Sequence, residues 1–429
     1  MSVFLYLLHI IFIVGILWRL SAREDKQLKF FYLSAASFKI ACGIMLGVIY
    51  HHYYATGDTL IYFHEANTLV GIAKNDAGAF VEFLLTNTVN GNKLALEITE
   101  ARAVLFIKFV ALINLATSGN YWITTAYFSL ISFFASWYLV KKIIQYKPGL
   151  KKAALLAFAF LPSAVFWSSG IIKESLAAAS LFYLTALFIE FWDRGKIGLY
   201  KLISVVPAVW ILWGLKYYFL GIFVPVVFTN ILFKTLFYRL LEERSLLLKA
   251  VTWVGIFVLP LVAITFIHPN LYMDRVLEVI VSNQDAYNSI SLPEDKVQFN
   301  DLKPTLSSFI VNVPLALFSG IYRPVIIEAG NVFQFISSVE NLMLLILTLS
   351  AIKNIHLLFH SKDNILLLSI VVYVVLLCIL ITLSTPNFGT LSRYRVGYLP
   401  YFVFLVSLNN PLISFITSMR CLAQKQVAK

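Results

Sequence analysis

The chain has 429 residues, 60% of them hydrophobic and only 13% charged. A soluble domain carries about 25% charged residues, and the mean hydropathy here is +0.82, so a water-soluble protein is excluded and the surplus apolar surface must face lipid. The net charge of +12 is not a nucleic-acid signal, because the basic residues sit in short loops between apolar runs, as in the cytoplasmic loops of membrane proteins.

A spanning helix needs about 20 mostly apolar residues. Such stretches occur in chain order at roughly 3–18, 30–50, 121–140, 153–169, 174–192, 201–215, 218–233, 249–267, 333–352, 365–384 and 396–414. The expected fold is therefore all-α: one integral membrane domain over 1–429, a polytopic transmembrane helix bundle of about eleven spans. The first apolar run begins at Ser2 without a basic region before it, and reads as a retained helix. Cys42 and Cys378 fall inside apolar spans and Cys421 near the basic C-terminus. No disulfide framework or metal spacing links them.

Basic residues follow alternate spans: Arg19 to Lys29, Lys141 to Lys152, Arg194 to Lys201, Lys234 to Lys249, Lys353 with Lys362, and Arg420 to Lys429. The positive-inside rule puts all six groups on the cytoplasmic side. Eleven spans satisfy this with the N-terminus outside and the C-terminus in the cytoplasm. The apolar stretches 103–117 and 307–321 then lie in the outer interface, the first with Arg102 and Lys108 at the headgroups. Two long outer loops remain, 51–120 and 268–332, with short outer turns at Gly170–Lys173, Lys216–Tyr218 and Thr385–Arg395. Loops this long are functional or disordered, and their aromatic and apolar content favours order.

Three constellations on the outer side carry chemistry. The first opens the first loop: His51-His52-Tyr53-Tyr54, then Gly57-Asp58 and Tyr62-Phe63-His64-Glu65. On a helix starting there, Asp58, Tyr62 and Glu65 share a face. Asp58 at that depth takes a proton from a hydroxyl or holds a cation; it equally suits a helix N-cap after Gly57. The histidines lack zinc spacing and read as interfacial.

The second is Phe166-Trp167-Ser168-Ser169-Gly170-Ile171-Ile172-Lys173-Glu174. Here the chain leaves one span and returns in the next. Lys173 falls in the first turn of a helix, whose positive end disfavours a cation, on the face poorer in Lys and Arg. Either an anion such as a phosphate binds there, or Lys173 pairs with Glu174 or a loop carboxylate.

The third is Ser392-Arg393-Tyr394-Arg395 before the last span. In an extended segment both arginines point the same way and their forks match phosphate oxygens; the alternative is snorkelling beside Tyr394 and Tyr398 in an aromatic belt. Weaker signals are Arg323 with Glu328 and the turn Lys216-Tyr217-Tyr218.

Gly57-Asp58 followed by Tyr62 and Ala66, the interfacial stretch 103–117, and Thr117-Ser118-Gly119-Asn120 leading into a span resemble the membrane-embedded glycosyltransferases of the GT-C class. The turn Phe166 to Glu174 is similar to one in uncharacterised multi-pass proteins of bacterial surface-polysaccharide clusters. The likeness covers roughly the first 190 residues. It implies a GT-C-like bundle in the plasma membrane that moves a sugar from a polyprenyl-phosphate donor to a glycan, lipid or protein acceptor on the outer face. By carry-over the base is Asp58. The commonest pattern often has a second acid beside it, where this chain has Thr59. A divalent cation is the cofactor this departure leaves open.

The residues on their own agree with that picture. Lys173, Arg393 and Arg395 supply cations for a lipid phosphate, with Glu174, Lys216 and Arg323 near them in the outer turns. Tyr62, His64, Glu65, Trp167 and Tyr217 are candidates for sugar contacts. A polymerase or ligase for lipid-pyrophosphate glycans would lean on the outer arginines. A transporter or lipid-glycan flippase would put charge near the midplane, where Lys39 is the main exception in otherwise uncharged spans.

Overall fold

The computed structural model describes residues 3–54, 57–264, 272–354 and 364–415. Cys421, Lys362 and the basic residues Arg420, Lys425 and Lys429 lie outside them. Among the described residues, seven helices are long and apolar enough to cross a membrane: Val3–Ser21, Lys26–Tyr54, Tyr121–Tyr146, Lys173–Arg194, Leu199–Leu241, Val332–Ile352 and Asn364–Ser384. The chain forms two compact units, Met1–Tyr146 with Phe158–Tyr217, and Lys147–Ala157 with Tyr218–Lys429.

The first unit holds α1 (Val3–Ser21), α2 (Lys26–Ile49), α3 (Asp58–Asn75), α4 (Ala77–Thr86), α5 (Ala101–Thr117) and α6 (Tyr121–Tyr146). Helix α6 packs on α2, where Tyr32 meets Phe133 and Trp137 edge to face at 5.0 and 5.2 Å. Ser129, Ser132 and Ser136 on α6 are buried; small side chains let helices in a bilayer approach closely. The expected first loop is thus helical, with α3 packed on α5. A short hairpin (Thr88–Val89 with Asn92–Lys93) closes it. Its turn is built on the Glu82 carboxylate, which accepts from the Thr88 hydroxyl and the Gly91 and Asn90 amides at 2.7, 2.9 and 3.0 Å.

The stretch 153–169 is not one spanning helix. It is α7 (Lys151–Leu155), a π turn (Leu156–Phe160) and α8 (Pro162–Phe166). Pro162 disfavours helical geometry at the residue before it, and Leu161 is extended (φ −66°, ψ 113°). After the break, α9 (Lys173–Arg194) packs along α6. The two stretches 201–215 and 218–233 are two helices, numbered together as α10 (Leu199–Leu232), separated at Lys216, whose backbone is not helical (φ −146°, ψ 66°). The expected outer turn there is a one-residue kink.

The second unit continues with α11 (Tyr238–Leu241), α12 (Leu246–Ile264), α13 (Met273–Ile290), α14 (Leu306–Tyr322), α15 (Val332–Ile352), α16 (Asn364–Ser384), α17 (Phe388–Tyr394) and α18 (Leu399–Ser407). The second long loop is again helical: α13 and α14 pack on α16 through Leu277, Ile280, Phe309, Ala316 and Leu383. The segment expected to be extended before the last span is helical instead. Asn387 caps α17 by accepting from the Thr390 amide at 3.0 Å, and a 3-10 turn (Arg395–Gly397) joins α17 to α18.

Candidate functional site

In the first unit a closed circuit of side chains forms at the start of α9. The Lys173 ammonium lies 5.4 Å from the centre of the Tyr62 ring. Its neighbour Glu174 is fully buried and pairs with Lys216, Nζ to Oε1 2.6 Å. Next to Lys216, the exposed Tyr217 ring lies 5.8 Å from the Arg102 guanidinium carbon. One turn along α5, Phe106 meets Tyr62 edge to face at 5.2 Å. Three pairs, Lys173 with Tyr62, Glu174 with Lys216 and Tyr217 with Arg102, are thus linked in series through neighbouring residues and through Phe106.

Local chemistry explains why each is there. Helix α3 begins at Asp58 because Gly57 precedes it with φ +143°, a region open only to glycine; a Cβ there would also meet the Tyr50 ring at 2.7 Å. The N-cap is Gly57, and Asp58 is the first helical residue. A carboxylate in the first turn suits the helix dipole. It also leaves Asp58 one turn from Tyr62, and hence beside the face that carries Lys173. Thr59 is buried and bonded to the Tyr121 hydroxyl at 2.9 Å. Glu65 accepts the Glu97 amide at 2.7 Å, which ties α3 to the segment before α5. His64 is exposed.

Lys216 is drawn in by the kink. A lysine on an unbroken α10 would have its backbone amide in the helix; here the non-helical residue turns a buried ammonium onto Glu174. Burying the pair is costly unless geometry is close, and 2.6 Å meets that condition. The sequence allowed a Lys173–Glu174 pair; Glu174 pairs with Lys216.

The break before α9 is enclosed by neighbouring helices. Gly170 (φ +74°) is packed against Gly43 of α2 and Ser129 of α6, whose hydroxyl accepts the Gly170 amide at 3.0 Å. A Cβ on Gly43 would sit 2.2 Å from the Ser129 oxygen and 3.2 Å from the Gly170 nitrogen. Ser129 is eight residues into α6, about 12 Å along its axis at 1.5 Å per residue. The turn is therefore sunk between helices. Just below it Lys39, midway along α2 and 4% exposed, donates to the Ser168 hydroxyl. Trp167 is half-buried at the end of α8, edge to face with Phe166 at 4.9 Å.

The arginines form a separate group in the second unit. Arg395 is 3% exposed. It donates to the Asn341 side-chain oxygen and the Ser319 carbonyl, both at 3.0 Å, and to the Arg323 carbonyl. Arg323 is held by Glu328, Nε to the two carboxylate oxygens at 2.8 and 3.0 Å, and stacks on Phe388 at 5.3 Å. Burial pushes the Glu328 carboxyl up, but the Arg323 hydrogen bonds, the Val325 amide and the Arg323 charge outweigh it, leaving Glu328 below the usual carboxylate range. Arg393 is half-buried, 5.8 Å from the Tyr394 ring. Two residues apart on a helix, Arg393 and Arg395 point to different sides, so they do not form the parallel pair expected of an extended segment. An apolar cavity of about 220 Å³ lies elsewhere in this unit, walled by Leu317, Ile321, Val374, Phe402 and Leu405 among others.

Among the described residues no three His, Cys, Asp or Glu side chains gather as metal ligands. His51 instead packs on Tyr121 and Trp122, at 4.7 and 5.5 Å. Sequence reasoning missed Arg102 as a site residue; it had only a position at the headgroups, and no local motif points from α5 to Tyr217. No family model, curated protein or solved structure matches the chain.

Proposed function

We propose that this protein is a membrane glycosyltransferase of GT-C type, moving a sugar from a polyprenyl-phosphate donor to a glycan, lipid or protein acceptor on the outer face. The observation that carries the reading is the circuit at the start of α9: cations (Lys173, Arg102) and aromatic faces (Tyr62, Tyr217) around a helix N-terminus, with Asp58 one turn from Tyr62. A lipid-linked donor presents an anionic phosphate at the membrane surface with a sugar just beyond it. The helix N-terminus and Lys173 suit the phosphate, and the rings suit a sugar face. Asp58 takes the proton from the acceptor hydroxyl as its oxygen bonds to the anomeric carbon. The bond from that carbon to the phosphate oxygen breaks, polyprenyl phosphate leaves with the electron pair, and Lys173 and Arg102 stabilise the charge it gains.

On this reading the protein sits in the plasma membrane with its N-terminus outside and its C-terminus in the cytoplasm. It crosses about eleven times, the two helices of α10 on either side of Lys216 counting separately and the broken segment 151–166 and the shorter helices α12 and α18 completing the crossings. Helices α5 and α14 lie at the outer interface. The polymerase or ligase reading is weakened, because Arg395 and Arg323 are engaged by protein acceptors. One observation favours a second reading, transport of a lipid-linked glycan: Lys39 is buried midway along α2, beside a broken helix, and broken helices with intramembrane charge are how transporters build substrate sites.

The test is mass spectrometry of lipid-linked and surface glycans in cells lacking the protein, complemented with wild type or Asp58→Asn. A glycan short of one sugar, restored by wild type and not by Asp58→Asn, supports the transferase; loss of a general base costs about 10²–10⁴-fold in rate. Complete repeat units that never lengthen point to the polymerase. Finished lipid-linked glycan accumulating on the inner face points to transport.

A further inference from the structure

The far end of α9 holds a second charged group, sixteen residues from Glu174. Glu190 is nearly buried, with 5% of its side chain exposed. It accepts from Lys142 of α6 at 2.9 Å, from Lys201 of α10 at 2.6 and 2.8 Å and from the Tyr138 hydroxyl at 3.1 Å. Arg194 stands 3.8 Å away and is more than half exposed. One carboxylate thus faces three cations. Nearby charges do not redress this: Lys141 is matched by Glu24 at 2.9 Å, and the exposed Asp193 and Lys196 offset each other. A positive surplus is left where three helix ends meet.

An apolar strip begins at the same level. On the first turns of α10, Leu199, Leu202, Ile203 and Val206 are 73, 56, 62 and 69% exposed. Lys201 is on the other side of the helix, 16% exposed and turned to Glu190, and its ammonium lies 5.7 Å from the ring of the exposed Tyr200, which borders the strip. Cations at a helix end, with an exposed apolar helix face starting within a turn of them, match the two ends of one molecule. We propose that this is a binding site for an anionic phospholipid, its phosphodiester against Arg194 and Lys201 and its acyl chains along α10. Glu190 is a positioning residue: it gathers the three cations without neutralising them. Basic pockets between helix ends recognise anionic headgroups in this way, and a zwitterionic lipid brings no net charge to match the surplus.

The site is tested on the full chain in nanodiscs of phosphatidylcholine doped with phosphatidylglycerol, reading by mass spectrometry the lipid kept after detergent extraction. Wild type is expected to retain phosphatidylglycerol in excess of its bulk fraction. Arg194→Gln should cut that excess about fivefold, the worth of one cation near an anionic headgroup, and the Arg194→Gln, Lys201→Gln pair should abolish it. Arg194 is exposed and leaves the close Glu190 partners intact, so its single variant decides the matter if the pair does not fold. Equal retention of both lipids by wild type, or an excess unchanged in Arg194→Gln, overturns the proposal.

Discussion

Two of the groups of buried charge in the chain are built differently. In the first unit, Glu174 and Lys216 neutralise each other, and around them Lys173, Arg102 and Tyr217 keep part of their surface open. In the second, Arg395 spends its guanidinium on an amide oxygen and two carbonyls, and Arg323 closes on Glu328. Both groups look alike as sequence: cations beside aromatics in segments expected between spans. The difference lies in what the donors meet. A fork directed at main-chain carbonyls holds helices together; an ammonium over a ring, at the start of a helix, still has a face to offer a ligand.

Removing one member of the buried pair should have the largest effect. Glu174→Gln leaves the Lys216 ammonium buried without its counter-charge, which costs about 3–5 kcal/mol. Thermal unfolding in detergent should show this as a marked fall in midpoint. Adding Lys216→Met to the same chain should recover much of the loss, since two uncharged side chains have no charge to compensate. A double variant no more stable than Glu174→Gln alone would mean that the pair does not act as a unit.

Arg395→Lys comes next. It keeps the charge and loses the planar fork, so two of the acceptors on Asn341, Ser319 and Arg323 go short, at about 1–3 kcal/mol. Stability should fall, and turnover of the remaining folded protein should be unchanged. Lys173→Gln should do the reverse: stability within about 0.5 kcal/mol, and activity down about tenfold, or 1.4 kcal/mol of lost stabilisation. If Arg395→Lys instead raises KM with stability intact, the contrast between the two groups fails.

How much of this was readable in advance follows from the range of the forces involved. Composition and hydropathy are sums over the chain, and they announce a helical membrane protein directly. Helix α3 was legible too, because Gly57-Asp58 is a local signal. The sunken turn at Gly170 was not. Apolar periodicity marks 153–169 as one span, and only Pro162 hints at a break; the depth is set by Gly43 and Ser129, far away in sequence. Likewise, Lys216-Tyr217-Tyr218 reads as a turn, and nothing local shows that its lysine is pulled inward by a carboxylate 42 residues earlier. The extended reading of the segment carrying Arg393 and Arg395 failed because Asn387 is a helix cap, a role it shares in sequence with ordinary turn residues.

The smallest expected effect separates the surface of the second group from its core. Glu328 is held below the usual carboxylate range, with burial opposing and the Arg323 hydrogen bonds prevailing. A carboxyl whose pKa is depressed by folding adds stability that is fully present above its unfolded value, about 4.3, and is lost as the pH falls through the lower folded value. Wild type should therefore lose stability between about pH 4.3 and the folded pKa below it, and Glu328→Gln should lose less over the same interval. At neutral pH the variant should be modestly weaker, because Glu328 is only partly buried and water screens the pair. Arg395, bonded to an amide and to carbonyls, has no carboxylate to titrate, so Arg395→Lys should leave the acid limb of the curve parallel to wild type. A Glu328→Gln protein whose acid limb overlays that of wild type would show that the Arg323 pair contributes nothing to folding, leaving Arg395 as the cation of the group that holds α14 to α15.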